Sequence, residues 1–329
     1  MKAVWYERTG AAHEVLTMGE MSDPNPDAGE VRVRMSVAGV NPSDVKRRAG
    51  FNGQTMAFPR IIPNMDGAGT IDAVGAGVDA KRIGERVWLH STAWKRPFGT
   101  AAQYAVTPSP RAFTLPMAVS FEVGAGLGVP AMTAHRAVFG CGAVRGKTVL
   151  VTGGAGAVGF YAIQLAKWGG ATVIATVSGA AKAAEALRAG ADHVVNYRVD
   201  NVADRVMALS AGAGVDHIVE VDFGANLASS LAVIKPNGSL ATYASMTTPQ
   251  PSIAFYAWMN KNVQLLWVFV YEMSQAAMDE AARDVNAWLV SGHAQHPKVH
   301  PYPLERAADA HAAVEAAAVG KVVINIGAM

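Results

Sequence analysis

The residues with the most specific chemical pattern in this chain are the glycines of Gly154-x-Gly156-x-x-Gly159. An apolar, β-branched run, Thr148 to Thr152, precedes them, and an amphipathic segment follows. In such a strand–turn–helix unit the first glycine allows a tight turn, the second lets the backbone approach a diphosphate, and the third lets helix and strand pack closely. The free N–H groups and positive dipole end of the helix then bind the phosphates. The pattern predicts a dinucleotide site formed by Gly154, Gly156, Ala157, Val158 and Gly159. The alternative is a glycine turn in an α/β sheet without a ligand.

The residues beyond the glycines indicate which dinucleotide is bound. Sites that prefer NAD place Asp or Glu about 20 residues later, on the ribose hydroxyls. Here the second strand ends at Val177 and is followed by Ser178, with no acid, and Lys182 lies four residues further on. Tyr197 follows the third strand. A 2′-phosphate requires a hydroxyl, a cation and no competing carboxylate, so we predict a preference for NADP(H). In the alternative, Lys182 is solvated and Tyr197 is a packed ring.

These residues must be positioned by a doubly wound parallel sheet. Strands are predicted at Thr148–Thr152, Thr172–Val177, His193–Asn196, His217–Glu220, Ser239–Tyr243 and Val263–Val270. Helices are predicted between them at Val158–Trp168, Ala180–Ala189, Val202–Ala208 and Asn226–Ile234. Alternating strands and helices are typical of a parallel sheet with right-handed crossovers. The first third of the chain instead has short strands separated by Gly and Pro, which favours a partly open β-barrel.

Composition excludes several functions. The 329 residues are 51% hydrophobic and 16% charged, and the net charge of +2 does not favour nucleic acid or an anionic membrane as a partner. The single cysteine, Cys141, excludes an internal disulfide and suits a reducing compartment. The N-terminus lacks an apolar stretch of signal-peptide length, and the longest apolar run is too short to span a bilayer. We therefore expect a soluble, cytoplasmic protein.

Several motifs together resemble one family over essentially the whole chain. They include Gly39-Val-Asn-Pro-Ser-Asp44, Pro63-Asn-Met-Asp-Gly-Ala-Gly69, Thr100-Ala-Ala-Gln-Tyr104, Val129-Pro-Ala-Met-Thr-Ala-His135 and the glycine turn. In order and spacing the chain resembles a zinc-independent medium-chain dehydrogenase/reductase of the quinone oxidoreductase (zeta-crystallin-like) branch. The resemblance implies a Rossmann domain, residues 126–270, inserted in a GroES-like substrate domain, residues 1–125 and 271–329, with the active site in the cleft where they meet.

The resemblance also implies individual cofactor contacts. Ser178, Lys182 and Tyr197 would hold the 2′-phosphate. Further contacts carried over from the family are Gly224, Ala244, Ser245, Val268, Phe269, Val270 and Lys321. Each of these also has an alternative interpretation as strand-end packing.

No zinc is expected at the catalytic position. Zinc-dependent relatives of this family have a cysteine where Asn41 stands and a histidine where Met65 stands, and Asp66 replaces their glutamate. Catalytic zinc needs three protein ligands and an open position, which this set does not provide. His293, His296 and His300 are spaced like metal ligands, but Pro297 and Pro301 lie among them, so we interpret them as a solvated surface loop.

The remaining chemistry is delivery of a hydride from NADPH to a conjugated acceptor, a quinone or an α,β-unsaturated carbonyl compound. The developing carbonyl oxyanion needs a hydrogen-bond donor or a cation, and the candidates are Asn41, Lys46 and water. Relatives often have Tyr at the Lys46 position, so Lys46 points to an anionic or strongly polarised substrate. Alternatively, Asn41 only caps a turn and Lys46 is solvated.

The sequence leaves open one further function and predicts one assembly. A non-catalytic NADPH-binding protein, either crystallin-like or a sensor, would bind the cofactor without turnover. The strongly apolar Val263–Tyr271 segment is predicted to be an edge strand, which needs to be covered. Pairing of this strand between two copies predicts a homodimer.

Overall fold

The computed structural model of the chain describes residues 1–327 and divides it into two compact units. Among these residues, the first unit contains 1–129 and 298–327, and the second contains 130–297. Residues 271–297 belong to the second of these compact units. There the Trp288 and Tyr161 rings lie 5.8 Å apart, and His135 Nε2 is 3.0 Å from Asp284 Oδ2.

The first unit is mainly antiparallel sheet. Its strands are β1 (Lys2–Trp5), β2 (Thr17–Glu20), β3 (Glu30–Val40), β4 (Asp66–Val74), β5 (Arg86–Leu89), β6 (Tyr104–Pro108), β7 (Ala112–Thr114), β14 (Val299–Pro303) and β15 (Lys321–Asn325). Its helices are α1 (Ala12–Val15), α2 (Pro42–Ala49), α3 (Phe121–Gly124) and α11 (Ala307–Glu315). A seven-stranded sheet has the order β14-β15-β3-β4-β5-β7, with β6 also paired to β3, and β1 pairs with β2.

The long strand β3 lies in the middle of this sheet, and its side chains alternate between a buried face and the opposite face. Val31, Val33 and Met35 are buried, whereas Arg32 and Arg34 lie on the opposite face. This is the period of two that a strand with one buried face requires. Strand β3 pairs with β15 on one side and β4 on the other, so residues distant in sequence become neighbours at its carboxyl end.

The second unit is a six-stranded parallel sheet with helices between successive strands. Its strands are β8 (Thr148–Val151), β9 (Thr172–Val177), β10 (His193–Asn196), β11 (Val215–Glu220), β12 (Ile234–Thr242) and β13 (Gln264–Trp267), in the order β10-β9-β8-β11-β12-β13. Its helices are α4 (Gly128–Phe139, which begins two residues before the boundary), α5 (Ala157–Trp168), α6 (Ala180–Arg188), α7 (Val202–Leu209), α8 (Phe223–Val233), α9 (Phe255–Asn260) and α10 (Gln275–Leu289). Leu150, Ile174, Ile218 and Leu240 form the centre of its core.

The fold class predicted from the sequence, a Rossmann sheet inserted in a GroES-like domain, is confirmed. The last strand is shorter than predicted. The paired residues of β13 end at Trp267, and the last backbone bond to β12 runs from the Val268 N–H to the Thr242 carbonyl at 2.8 Å. The chain then turns at Val270–Glu272, so Val263–Tyr271 is not one continuous strand. Within residues 1–327 we find no helix with the length and apolarity needed to cross a bilayer.

Candidate active site

The glycine turn lies between β8 and α5, and each glycine has a different environment. A Cβ at Gly159 would lie 2.3 Å from the carbonyl oxygen of Gly153, and one at Gly154 would lie 2.9 Å from the Ala175 side chain. These two positions accept only glycine because the helix and strand pack so closely. A Cβ at Gly156 would approach only the Gly153 carbonyl, at 3.4 Å. No side chain caps α5 at Gly156, its N-cap, so the first-turn N–H groups remain for an anionic ligand.

The predicted 2′-phosphate residues lie at the carboxyl ends of neighbouring strands. Asn196 of β10 is opposite Val177 of β9, and the Tyr197 N–H donates to the Val177 carbonyl at 3.0 Å. Ser178 follows directly after β9, and Lys182 lies in the first turn of α6. The three side chains are partly exposed, and the β9 end carries no carboxylate. This chemistry fits a 2′-phosphate.

A pocket of about 280 Å³ lies beyond the ends of β12 and β13. Four predicted cofactor contacts line it: Ala244, Ser245, Val268 and Phe269. Gly224 is adjacent, because its N–H donates to the Ser245 hydroxyl at 3.0 Å. Val270 follows them and is buried. Phe223, Tyr243 and Trp267 also line the pocket, and the Trp267 ring meets the Phe223 ring edge-on with centroids 5.2 Å apart. Sequence reasoning did not find Phe223 or Tyr243.

Two acidic residues that sequence reasoning missed organise this edge of the sheet. Glu220 is fully buried, and its Oε1 accepts hydrogen bonds from Thr152 Oγ1 (3.0 Å), the Asp222 N–H (2.6 Å) and Asn226 Nδ2 (2.7 Å). Burial raises the pKa of its carboxyl. The Asp222 carboxylate accepts from the N–H groups of Met246 and Thr247. The sequence feature that could have revealed Glu220 is its position, since an acidic residue there ends the buried strand β11.

In the first unit, a buried polar network forms where β15, β3 and β4 meet. Lys321 begins β15, Asn41 follows β3, and Asp66 begins β4. Lys321 Nζ donates to Asn41 Oδ1 at 2.7 Å and to the Val40 carbonyl at 3.3 Å. Asn41 Nδ2 donates to Asp66 Oδ2 at 2.7 Å, and Lys321 Nζ lies 3.8 Å from the same oxygen. The amide of Asn41 is therefore held in one orientation.

Asp44 connects this network to helix α2. Its Oδ2 accepts from the Asn41 N–H at 2.8 Å, and its Oδ1 accepts from the Met65 N–H at 3.1 Å. Burial, and then the Asp66 carboxylate, raise the pKa of Asp44 to about 7. Burial also raises the pKa of Asp66 and lowers the pKa of the Lys321 ammonium. Three ionisable groups thus share a site that water barely reaches.

Lys46 lies one turn along α2 from this network. It is half-buried, with its ammonium 5.4 Å from the centroid of the Phe51 ring. Burial lowers the pKa of Lys46. The predicted cofactor contact Lys321 belongs to the Asn41 network, so the structure places Lys321 with Asn41, one of the two catalytic candidates.

The residues around Asn41 do not fit a zinc ion. The Asn41 amide oxygen already accepts from the ammonium of Lys321, and Asp66 accepts two bonds from the Val129 N–H, at 2.8 and 2.9 Å. Met65 offers only a thioether, which suits softer metals. Among residues 1–327, no three His, Cys, Asp or Glu side chains are grouped as metal ligands.

The spaced histidines are not one solvated loop, as the sequence suggested. His300 lies in β14, where its Nε2 contacts the Val319 carbonyl at 2.8 Å. His296 packs against Trp288, and burial lowers its pKa to about 4. Only His293 lies in an exposed loop. The three histidines differ because His300 belongs to a strand, His296 packs against a buried ring and His293 is exposed.

Comparison with known proteins agrees with this geometry. The alcohol dehydrogenase GroES-like domain model matches residues 27–117, and the zinc-binding dehydrogenase model matches residues 157–287. Quinone oxidoreductase of Rattus norvegicus is 28% identical over 316 residues, covering 94% of this chain and 93% of the rat protein.

Solved structures cover the whole chain. Escherichia coli quinone oxidoreductase complexed with NADPH has a TM-score of 0.86 at 25% identity and covers 99% of this chain and 100% of that chain. The structure of 2-haloacrylate reductase also has a TM-score of 0.86 at 25% identity and covers 100% of both chains. The glycine turn, the strand ends and these matches identify the cofactor as NADP(H). The chain belongs to the zinc-independent, quinone oxidoreductase type of the medium-chain dehydrogenase/reductase family.

Proposed function

We propose that this protein uses NADPH to reduce a conjugated carbonyl acceptor, either a quinone or the activated C=C bond of an enone, acrylate or enoyl thioester. NADPH, when bound, supplies the hydride, and the protein binds, orients and polarises the acceptor. The observation that carries the proposal is the Asn41 amide, which Lys321 and Asp66 hold in a site that does not fit zinc. Negative charge on the acceptor oxygen must then be met by hydrogen-bond donors of the protein.

Lys46 is the side chain we assign to that oxygen. Lys46 is half-buried, whereas Asn41 is 2% exposed and both the oxygen and the nitrogen of its amide are hydrogen-bonded. Because burial lowers the Lys46 pKa, its ammonium gives up a proton more readily near neutral pH than an exposed lysine does. Asn41 and Asp44 then position α2, and with it Lys46, through the bonds to Asp66 and Met65.

The two acceptor classes are those named for similar proteins, quinones for the rat and E. coli enzymes and a haloacrylate for 2-haloacrylate reductase. A haloacrylate carries a carboxylate beside the reducible bond. The cation at Lys46 favours acceptors whose carbonyl group is anionic or strongly polarised.

The test is NADPH oxidation, followed by fluorescence, with a benzoquinone, a medium-chain enone, an acrylate and crotonyl thioester. We expect turnover with NADPH that is much faster than with NADH. Turnover on the quinone alone supports quinone reduction, and turnover on the other acceptors supports C=C reduction. NADPH binding without turnover on any acceptor would contradict the proposal and favour the non-catalytic interpretation.

The Lys46→Gln variant tests whether Lys46 is the proton donor to the acceptor oxygen. Lys46→Gln should lower kcat about 10²-fold, the lower end of what a positioned proton donor contributes. The control is Lys81→Gln, an exposed lysine of the same unit, which should leave kcat unchanged. Equal kcat for Lys46→Gln and the unsubstituted protein would remove Lys46 from the mechanism.

We also propose that two copies pair through β13, the edge strand of the parallel sheet. Trp267 is 62% exposed, and the nearby helix α9 exposes Phe255 and Tyr256 at 65% and 72%. A monomeric protein rarely exposes so many large apolar groups on one segment. Light scattering coupled to size-exclusion chromatography should give a molar mass of twice that of the chain. The Trp267→Lys variant should have a molar mass closer to that of the monomer. A monodisperse monomer at micromolar concentration would refute the pairing.

A further inference from the structure

A second pocket of the parallel-sheet unit, about 330 Å³ in volume, has no role in the proposed reaction. We name it the tryptophan pocket, after its lining residues Trp168 and Trp288. It lies at the carboxyl ends of α5 and α6, whereas the glycine turn lies at the amino end of α5. Helix α5 has 12 residues, and at about 1.5 Å per residue the two sites are roughly 18 Å apart. A ligand here would not occupy the diphosphate site.

The walls of the tryptophan pocket are fixed by contacts within the unit. The Gln164 side chain donates to the Gln295 carbonyl at 2.9 Å and accepts from the Gln295 N–H at 2.7 Å. Arg188 donates to the His296 carbonyl at 3.1 Å. These bonds hold the loop after α10 against α5 and α6. The pocket is therefore formed before a ligand arrives, which lowers the entropic cost of binding.

The charges at the tryptophan pocket favour an anion. Lys167 and Arg188 line it, and no lining residue among residues 1–327 is a carboxylate. Their ion-pair partners, Asp192 for Lys167 at 2.8 Å and Glu185 for Arg188 at 2.5 Å, are not lining residues. The guanidinium has five N–H donors, so its contacts with Glu185 and His296 leave donors for a ligand. Both cations also offset the partial negative charge of the helix ends.

The remaining lining side chains favour an aromatic group. Trp168 is 42% exposed and presents its ring to the pocket. Trp288 is 2% exposed and forms the inner wall, held edge-on against Tyr161 with ring centroids 5.8 Å apart. Indole rings bind flat apolar groups over a large area. The volume is at the lower end of the range of small-molecule sites.

We propose that the tryptophan pocket binds a small aromatic carboxylate, with the carboxylate on Lys167 and Arg188 and the ring against Trp168. Guanidinium and ammonium groups are the preferred partners of a carboxylate. The proposal is independent of the acceptor that the enzyme reduces.

The test uses 4-fluorophenylacetate, a saturated acid with no activated C=C bond, and protein saturated with NADP⁺ so that the cofactor site is filled. Fluorine NMR line widths are titrated at 0.1–10 mM probe (about the range expected for a ligand of this size). We expect saturable binding, at least fivefold weaker for Arg188→Gln and for the neutral probe 4-fluorophenylacetamide. The control Lys235→Gln removes another ion-paired lysine of the same unit and should bind the probe normally.

NADPH binding by each variant shows that it is folded and keeps this test separate from the proposed reaction. If Arg188→Gln fails to fold, Lys167→Gln and Trp168→Leu replace it, with the same fivefold expectation. Binding that does not saturate, equal binding of acid and amide, or unchanged binding by the folded variants would overturn the proposal.

Discussion

Replacing Lys321 with methionine should destabilise the first unit strongly at alkaline pH. Lys321 is 3% exposed, and its ammonium contacts the Val40 carbonyl, Asn41 Oδ1 and Asp66. Methionine has a similar length but no charge, so the substitution keeps the volume and removes the cation. Asp66 and Asp44, both buried, then lose the only cation of the network described above.

The magnitude follows from the burial. Removing one partner of a buried ion pair costs about 3–5 kcal/mol, because the other charge stays buried without compensation. The control is Lys235→Met, which breaks a half-exposed pair with Asp216. Pairs of that exposure contribute about 0–1 kcal/mol, so the two variants should differ clearly.

The loss of stability caused by Lys321→Met should depend on pH in one direction. Burial raises the pKa of Asp66 and raises that of Asp44 to about 7, and loss of the ammonium raises both further. A carboxyl with a raised pKa in the folded state destabilises that state only when it is ionised. The cost of Lys321→Met should therefore be larger at pH 8 than at pH 5, and it should change by up to about 1.4 kcal/mol per pH unit for each carboxyl that protonates in the folded state.

The assay is native-state hydrogen exchange of peptides from β3 and β15, which reports the stability of this sheet even if the two units unfold separately. Adding Asp66→Asn to Lys321→Met should recover most of the loss, because it removes one uncompensated charge. A loss below about 1 kcal/mol at pH 8, or a loss that does not change with pH, would refute the network as we describe it.

Three other substitutions test separate parts of the structure. Lys182→Ala should raise the KM for NADPH about tenfold or more in steady-state assays, since a charge-assisted hydrogen bond contributes about 1.5–3 kcal/mol; a parallel rise for NADH would contradict this. Gly159→Ala should lower the melting temperature sharply in circular dichroism, because its Cβ would lie 2.3 Å from the Gly153 carbonyl oxygen. Gly156→Ala should fold normally and bind NADPH weakly, and normal binding would argue against the diphosphate at this turn. Asp44→Asn should reduce the change in melting temperature between pH 5 and pH 8, because Asp44, with its pKa raised to about 7, destabilises the folded state as the pH rises. An unchanged pH dependence of the melting temperature would contradict this role of Asp44.

The cofactor half of the site was predictable because its geometry is local. One strand, one turn and one helix place Gly154, Gly156 and Gly159, and their spacing determines the turn. In a parallel sheet the carboxyl ends of all strands lie at one edge. Residues that follow predicted strands, such as Ser178, Tyr197 and Ser245, could therefore be assigned to one edge without knowing how helices pack.

The buried network was not predictable in the same way. Asn41 and Lys321 are 280 residues apart, and only the strand order β15-β3-β4 brings them together. The glycine at position 39 was the sequence feature that marked this network. Gly39 lies opposite Asp66, and a Cβ there would lie 3.2 Å from Lys321 Cε and 2.1 Å from the Ala125 carbonyl oxygen. A single sequence does not show which strand pairs with β3, so the role of that glycine appeared only in the structure.

The buried network of Asp44, Asp66 and Lys321 should contribute to folding stability and to kcat in different ways. Well-packed apolar residues often stabilise a protein as well as a buried ion pair does, so stability alone does not explain why Asp44, Asp66 and Lys321 are charged. They orient the Asn41 amide and fix the start of α2, the helix that carries Lys46. The double variant Lys321→Met with Asp66→Asn should therefore regain stability but keep a low kcat, because both charged partners that orient the Asn41 amide are then gone. If kcat returns together with stability, the network only supports the fold, and Lys46 acts without it.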